Sequence, residues 1–306
     1  MCGSWRKPDE EDGCHIRVSF RPFLRPFAAV FCLLPGLLPG ARRMRKVRII
    51  LVDWNGYPLY RRKKIGKHAI KCGIARLLDC LLQVEAGVDF DLHVVINQSE
   101  EKHRWYDAFP RLRRYAKPSK EAYQSLMETY PFVDNVYFRG NDGFDIGAYN
   151  FGFKHLQSVG YDGDVLFMNS SVVGPRRDGW LRDYQRLFYR TKNTGLCGIT
   201  LNSHNTMLAC PVFAPHVQTF FMYTNVRVLT EVFDTELPGS NTSEKVKLIS
   251  EGEIGISKGV LEAGYSIRCS AFPDFNYRMG DDWTIPMSDI RFSPEFQKYA
   301  NQVQPI

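Results

Sequence analysis

Two patterns of apolar and polar residues alternate along residues 47–269. Short segments rich in apolar residues, typical of buried strands, occupy 47–52, 90–96, 133–138, 164–168, 195–201 and 265–269. Between them, apolar residues recur every three or four positions, as on one face of an amphipathic helix, within 70–81, 119–130, 146–156, 181–189, 217–228 and 254–261. This alternation predicts an α/β fold: one Rossmann-like domain with a doubly wound, mostly parallel central sheet flanked by helices.

Residues 1–43 have a different character, so we divide the chain into an N-terminal extension, 1–43, and an α/β domain, 44–306. The apolar stretch 27–41 is shorter than the roughly 20 residues of a membrane-spanning helix, and two prolines interrupt it. Three interpretations stay open: a disordered or non-native extension, a membrane anchor, and a signal peptide, which the preceding arginines would suit.

Composition narrows the class of protein only a little. The chain has 306 residues and a formal net charge of +7, which would suit an anionic small molecule, a membrane surface or a nucleic acid. Basic residues are densest at 61–64, which we expect to be a solvated loop. Because aromatic residues are not interleaved with the basic ones, we expect no nucleic-acid partner. The eight cysteines form no CxxC pair, which favours a reducing, cytoplasmic compartment without disulfides.

Ligands of doubly wound sheets bind beyond the carboxyl ends of the strands, so the segments that follow strands carry the candidate chemistry. The first, 139–149, has three glycines and then a predicted helix, whose N-terminus suits an anion. Asp145 would either cap that helix or accept hydrogen bonds from a sugar hydroxyl. The second is Asn169, Ser170 and Ser171, whose side-chain oxygens would lie at the mouth of the sheet or simply close a turn.

Two acids open the last predicted helix, Glu251 and Glu253. Carboxylates in a first helical turn usually interact with the helix dipole, but one of them could also be the general base for an acceptor hydroxyl. His216, in a predicted loop before the helix at 217–228, is a further candidate for ligand contact.

Taken in order, the segments 139–149, 161–175, 195–202, 215–221 and 251–257 resemble the rhamnan synthesis protein F group and related polysaccharide glycosyltransferases. The resemblance covers roughly residues 45–270. It implies a GT-A-like fold, a nucleotide-sugar donor and a glycan or lipid-linked acceptor, with the enzyme at the inner membrane surface as a peripheral protein. By position it assigns donor contacts to Arg139, Asn141, Gly143, Asp145, Gly147, Asn169, Ser170, Ser171 and His216, and the base to Glu253 or Glu251.

The chain departs from the resemblance at one point. Asn169, Ser170 and Ser171 stand where many GT-A enzymes have an Asp-x-Asp motif that holds Mg²⁺ or Mn²⁺, and neutral oxygens bind these ions less well than carboxylates do. We therefore assign no metal ligands, and a dependence on Mg²⁺ or Mn²⁺ stays open; Arg176 and Arg177 could offset the charge of the leaving diphosphate. The alternatives are a non-catalytic protein of the same fold that binds sugar nucleotides or glycans, and a basic protein that binds nucleic acid or membranes.

Overall fold

The structure is a computed structural model, and it describes residues 44–65, 68–98, 117–205, 212–285 and 297–298. The N-terminal extension lies outside the described residues, as do residues 99–116. The boundary between residues 43 and 44 therefore stays a prediction.

The described strands are β1 Val47–Trp54, β2 Arg61–Ile65, β3 His68–Cys72, β4 Phe90–Gln98, β5 Val133–Gly140, β6 Asp164–Asn169, β7 Val172–Val173, β8 Thr194–Gly198, β9 Leu201–Asn205, β10 Val212–Val217, β11 Phe221–Asn225, β12 Ser266–Cys269, β13 Asn276–Tyr277 and β14 Gln297–Lys298. The helices are α1 Ile74–Gln83, α2 Lys120–Glu128, α3 Phe144–Ser158, α4 Trp180–Tyr189, α5 Val226–Phe233, the single turn α6 Lys245–Lys247 and α7 Ile254–Glu262. A π-helix, Leu248–Glu253, leads directly into α7.

Eight strands form the central sheet in the order β13-β12-β8-β11-β6-β1-β4-β5. The pairs β1–β4, β1–β6, β4–β5 and β12–β8 are parallel, whereas β11 runs antiparallel to both β6 and β8, and β13 runs antiparallel to β12. Six of the eight strands therefore point the same way, which confirms the expected α/β class with a mostly parallel sheet.

The central strands bury both faces, and helices cover each of them. On one face α1, α2 and α4 pack with residues such as Ile49 and Leu51. On the other face α3, α5 and α7 pack with their sequence neighbours Ile50 and Val52. Because neighbouring residues of a strand point to opposite faces, an uninterrupted apolar run serves both layers.

Four sequence-based assignments were wrong. The residues at 217–228 that suggested one helix belong to the end of β10, to β11 and to the start of α5. Ile70 lies in β3 rather than in α1, and 195–201 contains two strands, β8 and the start of β9. The basic residues at 61–64 form β2, which pairs with β3 as a hairpin rather than forming a loop.

The amino end of β6 carries a buried carboxylate, Asp164, which is fully inaccessible to solvent. It accepts hydrogen bonds from Gln185 Nε2 at 2.7 Å, from the Tyr223 hydroxyl at 2.9 Å and from Asn225 Nδ2 at 3.0 Å, and also from the Tyr189 hydroxyl. These donors come from α4, from β11 and from the N-cap of α5. Hydrogen bonds to Asp164 therefore connect β6 to two helices and to the neighbouring strand.

Two further features bear on where the protein is located: the state of its cysteines and the length and apolar character of its helices. The four cysteines in the described ranges, at 72, 80, 197 and 269, are free and buried, as expected of small apolar side chains. None of the helices in the described part of the chain has the length and apolar character that crossing a membrane requires.

Candidate active site

Polar side chains converge at one edge of the sheet, where four adjacent parallel strands end. The carboxyl ends of β1, β4, β5 and β6 carry Asp53, Asn97, Arg139 and Asn169 respectively. Asn97 is in register with Arg139, and Asn169 with Val52, one residue before Asp53. Because the strands are parallel, these groups lie side by side at the position where ligands of such sheets bind.

Asp53 lies at the centre of this edge and is buried, with 5% of its surface exposed. The Tyr123 hydroxyl donates to its carboxylate at 2.7 Å, and the Ser170 hydroxyl donates to the other oxygen. Arg61 Nη2 donates to Ser170 Oγ at 3.4 Å. Burial raises the pKa of the Asp53 carboxyl, although the hydrogen bonds from Ser170 and Tyr123 and the charge of Arg61 oppose that shift.

This pKa shift predicts a stability cost that Asp53→Asn should remove. As the pH rises above about 4, the unfolded chain loses this proton before the folded protein does, so the free energy of unfolding falls until the folded carboxyl has also ionised. We expect Asp53→Asn to abolish that part of the pH dependence and to be at least as stable as the wild type at neutral pH. Urea unfolding from pH 4 to pH 8 measures it, with the exposed Asp282→Asn as control. An Asp53→Asn protein that loses stability relative to the wild type as pH rises would contradict the assignment.

Arg139 is held at the end of β5 by two hydrogen bonds. One guanidinium nitrogen donates to Asn97 Oδ1 at 2.8 Å, and the other donates to the Asp142 carbonyl at 2.8 Å. Asn97 in turn donates to the Phe144 carbonyl at 2.9 Å, in the first turn of α3. The guanidinium is therefore oriented at the mouth of the sheet beside the start of a helix, an arrangement that favours a bound anion.

The structure brings Asp145 and Asn169 together. Asn169 Nδ2 donates to Asp145 Oδ2 at 2.6 Å, while Asn169 Oδ1 accepts from the Ser171 backbone N–H at 3.0 Å and from the Ser171 hydroxyl. Asp145 does not cap α3, because the N-cap position is Gly143 and has no side-chain cap. Asp145 accepts this hydrogen bond from a protein amide, and its contact with a sugar hydroxyl stays a prediction.

Protein backbone fills the space beside two of the glycines at 139–149. A Cβ on Gly143, whose φ is 66°, would lie 1.7 Å from the Ser240 carbonyl oxygen, and one on Gly147 would lie 2.1 Å from the Asp142 carbonyl oxygen. The loop at Ser240 therefore accounts for Gly143, and the Asp142 carbonyl accounts for Gly147; their contact with a donor stays a prediction. Asn141 accepts from the Phe144 N–H through its own carbonyl oxygen, which closes the turn before α3.

The two candidate bases differ sharply in their surroundings. Glu253, at the end of the π-helix, is 21% exposed; its Oε2 accepts from Thr219 Oγ1 at 3.2 Å, and its Oε1 lies 3.5 Å from His216 Nε2. His216 is 3% exposed and its Nδ1 lies 2.6 Å from the Ala214 carbonyl oxygen. This arrangement suits His216 to orienting Glu253 rather than to contacting a ligand directly. Glu251 is exposed and close to Lys247.

The family model for rhamnan synthesis protein F matches residues 116–273, just over half of the chain. The chain belongs to the rhamnan synthesis protein F family. This confirms the resemblance, although the matched segment begins later than the expected residue 45 and excludes Asp53 and Asn97. Membership of this family supports a glycosyltransferase of polysaccharide synthesis. Comparison with curated proteins gave no match.

Solved structures give weaker likenesses. A 4-diphosphocytidyl-2C-methyl-D-erythritol synthase is 12% identical, with a TM-score of 0.38 over 74% of this chain and 89% of the other. Mouse xyloside xylosyltransferase 1 is 11% identical, with a TM-score of 0.37 over 72% and 82%. A cytidylyltransferase from Leptospira borgpetersenii is 12% identical, with a TM-score of 0.36 over 78% of each chain. Scores at this level do not by themselves establish a common fold.

In this member of the rhamnan synthesis protein F family, the polar side chains at the strand ends include two carboxylates, Asp53 and Asp145. In the described ranges no three residues among His, Cys, Asp and Glu are grouped so that they could hold an ion. The Asp53 carboxylate already accepts hydrogen bonds from two hydroxyl groups, and the Asp145 carboxylate accepts one from the side-chain amide of Asn169. An ion at this edge would depend on the oxygens of the ligand itself, as Mg²⁺ often does with phosphates.

Three residues of the site escaped the sequence analysis of this rhamnan synthesis family member: Asp53, Asn97 and Tyr123. Asp53 and Asn97 directly follow the apolar runs of β1 and β4, so the same rule that singled out 139–149 and 169–171 would have found them. Tyr123 lies on α2, 70 positions from its partner Asp53, and only the packing of α2 against the sheet brings the two together. Arg177, which the sequence suggested for the diphosphate, is exposed and pairs with Asp183 at 3.0 Å.

Proposed function

We propose that the protein transfers a sugar from a nucleotide-sugar donor to a growing glycan or lipid-linked acceptor, using a GT-A-type arrangement of its sheet. The observation that carries the proposal is the convergence of Asp53, Asn97, Arg139 and Asn169 at the carboxyl ends of four parallel strands. Membership of the rhamnan synthesis protein F family supports it, and rhamnose is one candidate for the sugar transferred.

The donor would lie across this edge of the sheet with its diphosphate at Arg139 and at the start of α3. Arg61 supplies a second cation near this edge. Its guanidinium is positioned over the Tyr57 ring, 4.2 Å from the ring centre, and donates a hydrogen bond to Ser170. As the bond to the sugar breaks, negative charge grows on the departing diphosphate, and fixed cations stabilise it without reorganising. Asp145, Asn169, Ser171 and Asn141 offer oxygens and amides for hydroxyl groups of the donor. A divalent ion, if one binds, would add charge at the same diphosphate.

The acceptor would approach Glu253. Its carboxylate would take the proton of the acceptor hydroxyl as the oxygen forms a bond to the anomeric carbon and the nucleoside diphosphate leaves. Thr219 donates to one carboxylate oxygen and His216 lies 3.5 Å from the other, which orients the group but leaves lone pairs for the substrate. Direct attack on the anomeric carbon would invert its configuration. The buried free cysteines support a cytoplasmic location, and a lipid-linked acceptor would bring the protein to the inner membrane surface.

A thermal-shift screen of the full chain against UDP-, GDP-, dTDP- and CMP-sugars tests the donor site, with and without Mg²⁺ or Mn²⁺. At about 100 times its dissociation constant a donor should add about 2.7 kcal/mol of stability, which is a clear shift. Arg139→Gln should reduce that shift, and Arg227→Gln, an exposed arginine on α5, is the matched control. The absence of a shift with every nucleotide would contradict the proposal.

A second function is favoured by one observation, the absence of a carboxylate motif at 169–171. It is a protein of the same fold that binds a sugar nucleotide or a glycan without transfer. Binding of a donor with neither transfer nor hydrolysis on a panel of acceptors would select this alternative, and release of free sugar from the donor would exclude it.

A further inference from the structure

His216 is almost fully buried, with 3% of its side chain exposed, and yet its ring faces a carboxylate. It lies on β10 opposite Asn202 of β9, and its Nε2 is 3.5 Å from Glu253 Oε1. The next residue, Val217, donates its backbone N–H to Ser257 Oγ at 3.0 Å, which fixes β10 to α7. The imidazole is therefore held in a defined position beside the proposed base, and Asn202 and Ser257 bring no charge to it.

The other ring nitrogen of His216 determines where its hydrogen lies. Nδ1 donates to the Ala214 carbonyl oxygen at 2.6 Å, because a carbonyl oxygen can only accept. In a neutral imidazole one nitrogen carries the hydrogen and the other carries a lone pair, so Nε2 of neutral His216 is an acceptor. This lone pair faces Glu253 Oε1, which is also an acceptor while the carboxylate is ionised. Two acceptors therefore oppose each other with no proton between them.

One added proton turns this contact from repulsive to attractive. The proton resides either on His216 Nε2, which gives an imidazolium beside a carboxylate, or on Glu253, whose carboxyl group then donates to Nε2. Glu253 is only 21% exposed, so water weakens the interaction less than it would at the surface. The two groups are coupled, and together they bind their first proton more tightly than an isolated glutamate does.

The hydroxyl groups packed around the pair do not compete for this proton. Thr219 Oγ1 donates to Glu253 Oε2 at 3.2 Å, which leaves Oε1 for the substrate and for His216. On α3, burial raises the pKa of the Tyr149 hydroxyl, and the charges of Asp145 and Glu253 raise it further. Tyr149 therefore stays protonated, and it donates to the Thr219 carbonyl at 2.9 Å.

Charged neighbours either favour uptake of the proton or act on the pair through water. Asp145 adds negative charge, since its carboxylate and that of Glu253 act on the same hydroxyl of Tyr149. Glu251 and Lys247 are exposed and interact with each other, so solvent and salt screen their effect on the pair. The surroundings therefore support a pair that takes up one proton.

We propose that Glu253 and His216 act together as one base, with His216 as a positioning residue that shares the proton. The acceptor O–H bond breaks as its oxygen bonds to the anomeric carbon, and the proton passes to Glu253 Oε1 and comes to lie between that oxygen and His216 Nε2. The bond from the anomeric carbon to the donor phosphate breaks, and its electron pair leaves with the nucleoside diphosphate. The proton returns to water after the product departs. The inference rests on the proposed function, in which Glu253 receives the proton of the acceptor.

The dependence of kcat on pH tests the pair. Turnover requires the pair without its shared proton, so kcat falls as the pH drops through the midpoint of proton uptake. His216→Gln places an amide N–H near the position of Nε2, which can orient Glu253 but cannot share a proton. We expect this acidic midpoint to fall by about two pH units, from the range of an imidazole to that of a lone carboxyl, and kcat above both midpoints to fall about tenfold. His93→Gln, which replaces another buried histidine, is the matched control and should keep the wild-type midpoint.

Nitrogen NMR of the histidine rings tests the same pair without turnover, and it needs only the wild type and Glu253→Gln. Neutral His216 should carry its hydrogen on Nδ1. Loss of the carboxylate in Glu253→Gln should lower the pH at which the ring takes up its second proton by about one unit. An Nε2–H tautomer, an unchanged ring titration in Glu253→Gln, or a His216→Gln enzyme with the wild-type midpoint would overturn the inference.

These measurements separate the pair from the proposed function. If the titrations of His216 and Glu253 are coupled in a protein that binds no donor, the pair stands and the transferase assignment falls. If the protein transfers sugar and the titrations are independent, the transferase assignment stands and Glu253 acts without His216.

Discussion

Glu253→Gln is expected to lower turnover by about 100-fold to 10,000-fold while leaving donor binding intact. A positioned general base contributes that much to a transfer reaction, and glutamine keeps the size of the side chain but cannot take a proton. Thr219 can still donate to the amide oxygen, so the local structure should survive the change. Initial rates with the best donor and acceptor measure the effect, and the thermal shift with donor shows that the site is otherwise unchanged.

Glu251→Gln is the matched control, because Glu251 lies two residues earlier and is exposed. It should keep near wild-type turnover. If Glu253→Gln kept its rate, the base assignment would be wrong, and if only Glu251→Gln lost its rate, the base would be Glu251. Loss of rate in both variants would mean that the π-helix, rather than one carboxylate, is what the reaction requires.

Asp164→Ala should destabilise the fold strongly, by about 3–5 kcal/mol, because a buried polar group left without its partner costs about 1–3 kcal/mol and several lose theirs here. The substitution removes the acceptor for four buried donors at once, from Gln185, Tyr189, Tyr223 and Asn225. The buried donors of Tyr223 and Asn225 would lose the acceptor they share, and leaving a buried donor without its acceptor costs more than the hydrogen bond itself is worth. Urea unfolding followed by circular dichroism measures the loss.

Asp162→Ala provides the comparison, since Asp162 lies two residues away and pairs with Arg227 at 2.6 Å on the surface. Exposed ion pairs contribute little, so this change should cost less than about 1 kcal/mol. Equal losses in the two variants would show that the hydrogen bonds to Asp164 are not what stabilises this end of β6.

Strands buried on both faces were the elements most readily predicted from sequence. β1, β4 and β6 are continuous apolar runs because helices cover both of their faces, and no other element gives that pattern so clearly. The same property misled the prediction for 217–228. All five residues of β11 are buried, so the strand shows no alternation, and its apolar residues fall by chance at helical spacing with those of β10 and α5.

The candidate site could be predicted only in part. Asn169 and Arg139 were found because polar residues that follow a buried strand must lie at the ligand-binding edge. The pairing of Asn169 with Asp145, the burial of His216 beneath Glu253 and the contact of Tyr123 with Asp53 depend on how distant segments pack. The π-helix that presents Glu253 has no sequence signature at all, since its residues would suit an ordinary helix equally well.

The order of the strands also decides which fragments of the chain could exist alone. The family match begins at residue 116, after β1 and β4, yet these two strands separate β6 from β5 in the sheet. A truncated protein spanning only 116–273 would carry β5 without a neighbour and β6 with one edge unpaired. The unpaired backbone groups of such an edge are a template for pairing between copies. The segment that the family shares and the folding unit are therefore different stretches of the chain, and the recognisable half depends on the other half for its central strands.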